Sequence, residues 1–206
     1  MIITSIERHK KNKDKLLVYI DNSYSFSIQE EDYLRLNLHD KCEITQDEIR
    51  NIKNNINFKN AKSTAVKYLA LRLRSGWEVA MKLAAEGYDS EVVERVVEEL
   101  RSIGYINDKI YAQKYIFDRS KLKPKSKKML KLELEQKGVS SGIIEEVLSD
   151  WEIDEVSVAE GLIRRKFGKY NLKDEKVFKK IQAFLHHRGF SFEVIDAAVK
   201  NSYGEI

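Results

Sequence analysis

Apolar positions recur along this chain with two different periods. Near the N-terminus the period is two. Tyr24-Ser25-Phe26-Ser27-Ile28 alternates apolar and polar, as a half-buried strand does. The run Leu16-Leu17-Val18-Tyr19-Ile20 precedes it, and Asp21-Asn22-Ser23 supplies a hairpin turn. Ile2, Ile3 and Ile6 mark a further strand. Residues 29–37 and 45–55 read as short helices, with Thr45 and Glu48 spaced as a capping box. A three-stranded sheet alone is marginal, so these helices are expected to cover one of its faces. Residues 54–60, Asn-Asn-Ile-Asn-Phe-Lys-Asn, are polar and aperiodic, and read as a linker.

Beyond residue 60 the period becomes helical and the pattern repeats. Gly87, Gly138 and Gly189 lie 51 residues apart each time. Each follows a helical run and suits the left-handed position that ends a helix. An apolar residue comes next (Tyr88, Val139, Phe190), placed to pack back on the helix being left. Then Asp89, Ser140 or Ser191 offers an oxygen as N-cap of the following helix. That helix carries an apolar stripe: Val92, Val93, Val96 and Val97, then Ile143, Ile144, Val147 and Leu148, then Val194, Ile195, Ala198 and Val199. Leu83, Leu134 and Leu185 stand four residues before each glycine and face the same core.

A further helix precedes each pair, predicted from about Lys62 through Arg74, from Asp108 to Ser120, and from Glu152 to Phe167. Its connection to the next helix is read as short at Ser75-Gly76, longer at Lys121–Lys123 and longest at Gly168–Lys173. Pro124 is placed in the first turn of a helix. The predicted fold is mainly α: a tandem array of three three-helix repeats forming an elongated curved body, with a small N-terminal β-hairpin or sheet plus helix unit. The expected boundaries are 1–58, 59–106, 107–150 and 151–206.

Composition agrees with helices. One proline and nine glycines in 206 residues are few for an all-β chain with many turns. Cys42 is the single cysteine, which excludes an intramolecular disulfide and fits a reducing, cytoplasmic setting. No apolar run reaches the roughly 18–20 residues of a membrane helix, and the start has no signal-peptide pattern, so no membrane partner is expected. The net charge of +4 is small, but its distribution is uneven. Residues 1–60 and 61–106 are each neutral, 107–150 carry +3 and 151–206 carry +1. From Arg119 to Leu132 there are seven basic residues and no acid.

The sequence has no phosphate-binding glycine loop, no HExxH, no GxSxG and no paired-cysteine motif. His186 and His187 are adjacent, so on a helix they point about 100° apart and cannot share a metal. They are read as complementing a helix C-terminus. Glu91, Glu94, Glu98 and Glu99 are read as a solvated face. Trp77, Tyr105, Tyr111, Tyr115, Phe117 and Trp151 are assigned to core packing. No cofactor, metal site or catalytic residue is expected. The positive candidates are cations. Lys125, Lys128 and Lys131 recur at i, i+3, i+6 along a predicted helix, with Arg119, Lys121, Lys123 and Lys127 beside them. Arg72 and Arg74 are placed at the end of the first helix of repeat one. Arg164, Arg165 and Lys166 are placed at the corresponding end in repeat three. Together they form a candidate basic face for phosphate, whose affinity depends on salt.

Four segments in this order resemble the RecX regulatory proteins of bacteria: Tyr68 to Val79, Leu100 to Ile116, Leu132 to Val139, and Phe184 to Ile195. The resemblance covers residues 61 to about 200. The first 60 residues resemble the extension of longer members from low-GC Gram-positive bacteria. Lys123-Pro124 stands where many members carry Gly-Pro, which implies a stiffer turn. The resemblance implies a non-enzymatic negative regulator of the RecA recombinase that binds the RecA–DNA filament and inhibits its ATPase, strand-exchange and co-protease activities in DNA repair and the SOS response. It also implies weak, non-specific contact with single- and double-stranded DNA, and a monomer is expected. The residues alone leave a second reading open, a stand-alone helix-turn-helix-like DNA-binding module with Arg164, Arg165 and Lys166 reading bases. A nuclease would need a carboxylate cluster, and the acids are spread along exposed faces.

Overall fold

The computed structural model describes residues 1–172 and 174–204, with side chains placed as far as Ser202. The chain forms two compact units, Met1–Asn107 and Asp108–Ile206.

The first unit begins with an antiparallel sheet, β1 (Ile3–Arg8), β2 (Lys15–Ile20) and β3 (Ser23–Gln29), in the order β1-β2-β3. Asp21 and Asn22 turn the hairpin with φ of 49° and 64°, a left-handed pair that short polar side chains tolerate. The pairing sets Leu16 opposite Ile28 and Val18 opposite Phe26. Those residues and Ile20 form one buried face, covered by Tyr33 of α1 (Glu30–Arg35), Leu38 of a short 3-10 turn, Ile44, and Ile49 of α2 (Gln46–Asn51). The capping box at Thr45 is present: its hydroxyl accepts from the Glu48 amide at 3.2 Å, and the Glu48 carboxylate accepts from the Thr45 amide at 2.8 Å.

The expected linker at 54–60 is helical instead. A π-helical stretch, Ile52–Asn57, runs from α2 directly into α3 (Phe58–Leu69). Its wider repeat hides the periodicity that a 3.6-residue search looks for. Ile52 and Ile56 serve the sheet core, while Phe58 serves the core of the first repeat.

The first repeat consists of α3, α4 (Gly76–Ala85) and α5 (Ser90–Ser102). The second unit holds the other two: α6 (Asp108–Leu122), α7 (Lys127–Glu135) and α8 (Ser141–Ser149), then α9 (Glu155–Phe167), α10 (Glu175–His186) and α11 (Phe192–Gly204). Each repeat has its own buried cluster. Leu83, Leu134 and Leu185 are fully buried in them. The three hinges are equivalent in backbone detail. Gly87, Gly138 and Gly189 have φ of 80°, 70° and 84°. The amides of Tyr88, Val139 and Phe190 donate to the carbonyls of Leu83, Leu134 and Leu185, and the glycine amides donate to Ala84, Glu135 and His186. This is the paired pattern of a Schellman cap.

Several expectations are corrected. Of the three proposed N-cap side chains only Ser191 accepts an amide of its helix, from Val194 at 3.3 Å. Asp89 and Ser140 occupy the N-cap backbone position without a side-chain cap. The Asp89 carboxylate is engaged by the Tyr24 hydroxyl and the Ser27 amide. Helix α3 stops at Leu69, so Arg72 and Arg74 lie in the connection and not on the helix. The connections run over residues 70–75, 123–126 and 168–174, making the middle one the shortest; Lys173 lies outside the described residues. Pro124 lies before the N-cap Ser126, so Lys125 is outside α7 as well. Trp77, Tyr105 and Phe117 are exposed and are not core residues.

Candidate functional site

Cations gather where the first helix of a repeat gives way to the second. In the middle repeat this region is the end of α6, the connection and α7. Two of its candidates are tied into a network around Glu133. The Arg119 guanidinium donates to the Tyr115 hydroxyl at 2.9 and 3.1 Å, and that hydroxyl donates to Glu133 at 3.0 Å. Lys125 pairs with the other Glu133 oxygen. Burial alone would raise the Glu133 pKa, but the Lys125 and Tyr115 hydrogen bonds and the Arg119 charge outweigh it and hold the carboxyl below its ordinary value. Lys131 pairs with Glu145 at 3.1 Å. The i, i+3, i+6 lysine row is therefore not a free row: Lys125 is outside the helix, and Lys125 and Lys131 already have carboxylates.

The others stand differently. Lys121 lies 4.0 Å from the Phe117 ring centroid, a cation on an exposed aromatic face. Lys121, Lys123, Lys127 and Lys128 have no carboxylate partner among the described residues. Lys127 contributes its amide to Glu155 at 2.6 Å, and the Ser126 amide donates to the Arg188 carbonyl at 3.1 Å, so this end of α7 is pinned to the third repeat.

In the third repeat Arg164, Arg165 and Lys166 do end α9, where cations complement the helix dipole. Lys166 lies 3.9 Å from the Phe184 centroid, and Arg188 lies 3.8 Å from the same ring. Burial, and then the nearby Arg165 charge, lower the Arg188 pKa. Six further cations follow within this stretch: Lys169, Lys173, Lys176, Lys179, Lys180 and Arg188. Residues 164–188 contain nine basic side chains and two acidic ones. The net charge of the repeat does not signal these six additional cations, because acids elsewhere in it cancel the sum. A charge count over a shorter window isolates them.

The two arginines of the first repeat are held locally. Arg72 bonds Glu78 at 2.9 Å, and Arg74 lies 4.1 Å from the Tyr68 centroid. Among the described residues no group of three or more His, Cys, Asp or Glu side chains is arranged to hold a metal ion. None of the described helices is long and apolar enough to cross a membrane.

A short antiparallel sheet followed by three helical repeats, hinged at equivalent glycines and basic at their connections, defines a tandem three-helix-repeat protein. Comparison with known proteins makes the class specific. The RecX regulatory protein N-terminal domain matches residues 1–45, and the first, second and third RecX three-helix domains match 61–100, 107–148 and 152–199. The regulatory protein RecX of Clostridium acetobutylicum is 31% identical, covering 98% of this chain and 97% of its own length. That of Bacillus velezensis is 32% identical over 97% of this chain and 77% of its own. A crystal structure of regulatory protein RecX superposes with a TM-score of 0.64 at 25% identity, covering 95% of this chain and 97% of that one. RecX from Lactobacillus salivarius superposes at 0.62, also at 25% identity, over 71% and 96%. The chain belongs to the RecX family of regulatory proteins.

Proposed function

We propose that this chain is a non-enzymatic negative regulator of the RecA recombinase. It acts in the cytoplasm on the RecA–DNA filament and lowers its ATPase, strand-exchange and co-protease activities. The observation that carries this reading is the ordered match of all four RecX domains along the chain. The cationic connections of the second unit supply the physical contact. A filament that carries nucleic acid is a dense row of phosphates, and unpaired lysines bind such a row by releasing counterions. Among the candidates, Lys121, Lys123, Lys127 and Lys128 are the best placed, because none must first leave a carboxylate. Lys125, Lys131 and Arg119 are occupied within the fold and act as supports. Arg164, Arg165 and Lys166 extend the surface in the third repeat.

Replacing Lys121, Lys123, Lys127 and Lys128 together by Ala tests the assignment. Inhibition of RecA is expected to weaken. Its dependence on salt is expected to flatten by about 0.7 of a log unit per log unit of salt for each phosphate that the variant no longer neutralises. Full inhibition by this variant across a salt series contradicts the assigned surface.

A further inference from the structure

The third repeat contains a cavity of about 400 Å³ lined by Lys166, Phe167, Tyr170, Val177, Lys180 and Ala183. Its floor is apolar. Phe167 and Val177 belong to the buried core, and Tyr170 stands at the mouth with 58% of its surface exposed. The Tyr170 amide donates to the Phe167 carbonyl at 2.9 Å, and the two rings lie 6.3 Å apart at 57°. The tyrosine is thus fixed in a turn while its ring remains open to solvent. The rim is cationic. Both acids of this stretch are already occupied: Asp174 caps α10 by accepting the Lys176 amide at 2.8 Å, and Glu175 pairs with Lys179 at 2.6 Å. Lys166, Lys169, Lys176 and Lys180 have no carboxylate partner among the described residues.

We propose that this cavity is a subsite for one unstacked base of single-stranded nucleic acid, with Tyr170 as the stacking platform and Lys166 and Lys180 on the flanking phosphates. It rests on the reading of the second unit as a phosphate-binding surface and names what that surface takes at this point. An apolar slot beside an exposed ring accepts a flat π-face, and the uncompensated rim calls for regularly spaced negative charge. Single-stranded nucleic acid supplies both in every residue, whereas a duplex hides its base faces in the stack. Stacking on an aromatic side chain tolerates any base, so sequence preference is not expected.

The test is fluorescence anisotropy of the full chain with a labelled oligo-dT of about a dozen nucleotides and with an abasic strand of equal length, within the range of single-strand sites. Tyr170→Ala is expected to weaken oligo-dT binding roughly five- to a hundred-and-fiftyfold, the range that base stacking spans, and to leave the abasic strand unaffected. Tyr170→Phe retains binding. Lys180→Ala weakens both strands and lowers the salt slope. Equal affinity of the Tyr170→Ala protein for oligo-dT, or an equal loss on both strands, overturns the proposal. So does a Tyr170→Ala variant that binds oligo-dT normally yet inhibits RecA poorly, because the cavity then takes a protein side chain. Loss of RecA inhibition by the unaltered chain would instead remove the regulatory reading and leave oligonucleotide binding to be judged by itself.

Discussion

Lys15 shows how far a single side chain can depart from its usual setting. It is the first residue of β2, fully buried, with its ammonium 2.9 Å from the Tyr88 ring centroid and no hydrogen-bond partner among the described residues. Burial lowers its pKa to about 7, against the opposing pull of Asp89 and Glu86. In the unfolded chain a lysine titrates near 10.4. Between about 7 and 10.4 the unfolded state holds more of the proton, so folding stability rises with pH in that window, by up to about 1.4 kcal/mol per pH unit. Below pH 7 both states are charged and the whole burial cost is present. Lys15→Met is therefore expected to be more stable than the natural chain at about pH 6, with the advantage shrinking toward about pH 10. Urea titrations at several pH values measure this; a difference constant with pH contradicts it. In the sequence Lys15 is only the last residue of a polar, basic stretch, Arg8 to Lys15, before the apolar run Leu16–Ile20. Its burial depends on Tyr88, which is remote in sequence, so no local pattern signals it.

At the scale of elements, the glycine hinge was the most legible feature, because a left-handed helix end restricts the residue types that fit it. The sequence did not show that two of the hinges are also docking points. Gly87 lies against the sheet face opposite the sheet core: its carbonyl accepts the Ser27 hydroxyl at 2.8 Å, and a Cβ there would meet the His9 ring at 3.1 Å. Gly189 lies against the cap of α7, where a Cβ would stand 2.5 Å from Ser126 Oγ and 2.9 Å from Met129 Cβ. Gly161, by contrast, sits inside α9 with open space around it. The two positions are expected to respond with opposite signs. Gly161→Ala stabilises the second unit by about 0.5–1 kcal/mol through helix propensity. Gly189→Ala destabilises it by more than the roughly 1–2 kcal/mol of left-handed strain, because the steric clash adds to it. Denaturant midpoints of the two variants check the pair, and the same sign in both refutes the hinge argument. The failures at this scale have the same root. The linker reading of 54–60 does not hold because a π-helical run of asparagines has neither the period nor the composition of an ordinary helix. Spacing alone points Trp77, Tyr105 and Phe117 inward, but the apolar stripes beside them already fill the cores.

For the whole chain, family membership is legible in the order of four segments, and the candidate basic surface only in outline. A lysine-rich run is visible in a sequence, but its neutralising partners are not. Glu133 and Glu145 are what distinguish supporting cations from available ones, and both pairings depend on how helices pack. The third repeat shows the converse, since its strongest basic stretch was concealed by averaging over the repeat. The central proposal is that the chain regulates by occupying the RecA filament rather than by removing its DNA. The most direct measurement is single-strand-dependent ATP hydrolysis by RecA, with this protein added at well below one per RecA. Strong inhibition at that ratio, undiminished by extra single strand, is the predicted result. Inhibition that appears only near equimolar protein and disappears as more DNA is supplied would contradict it.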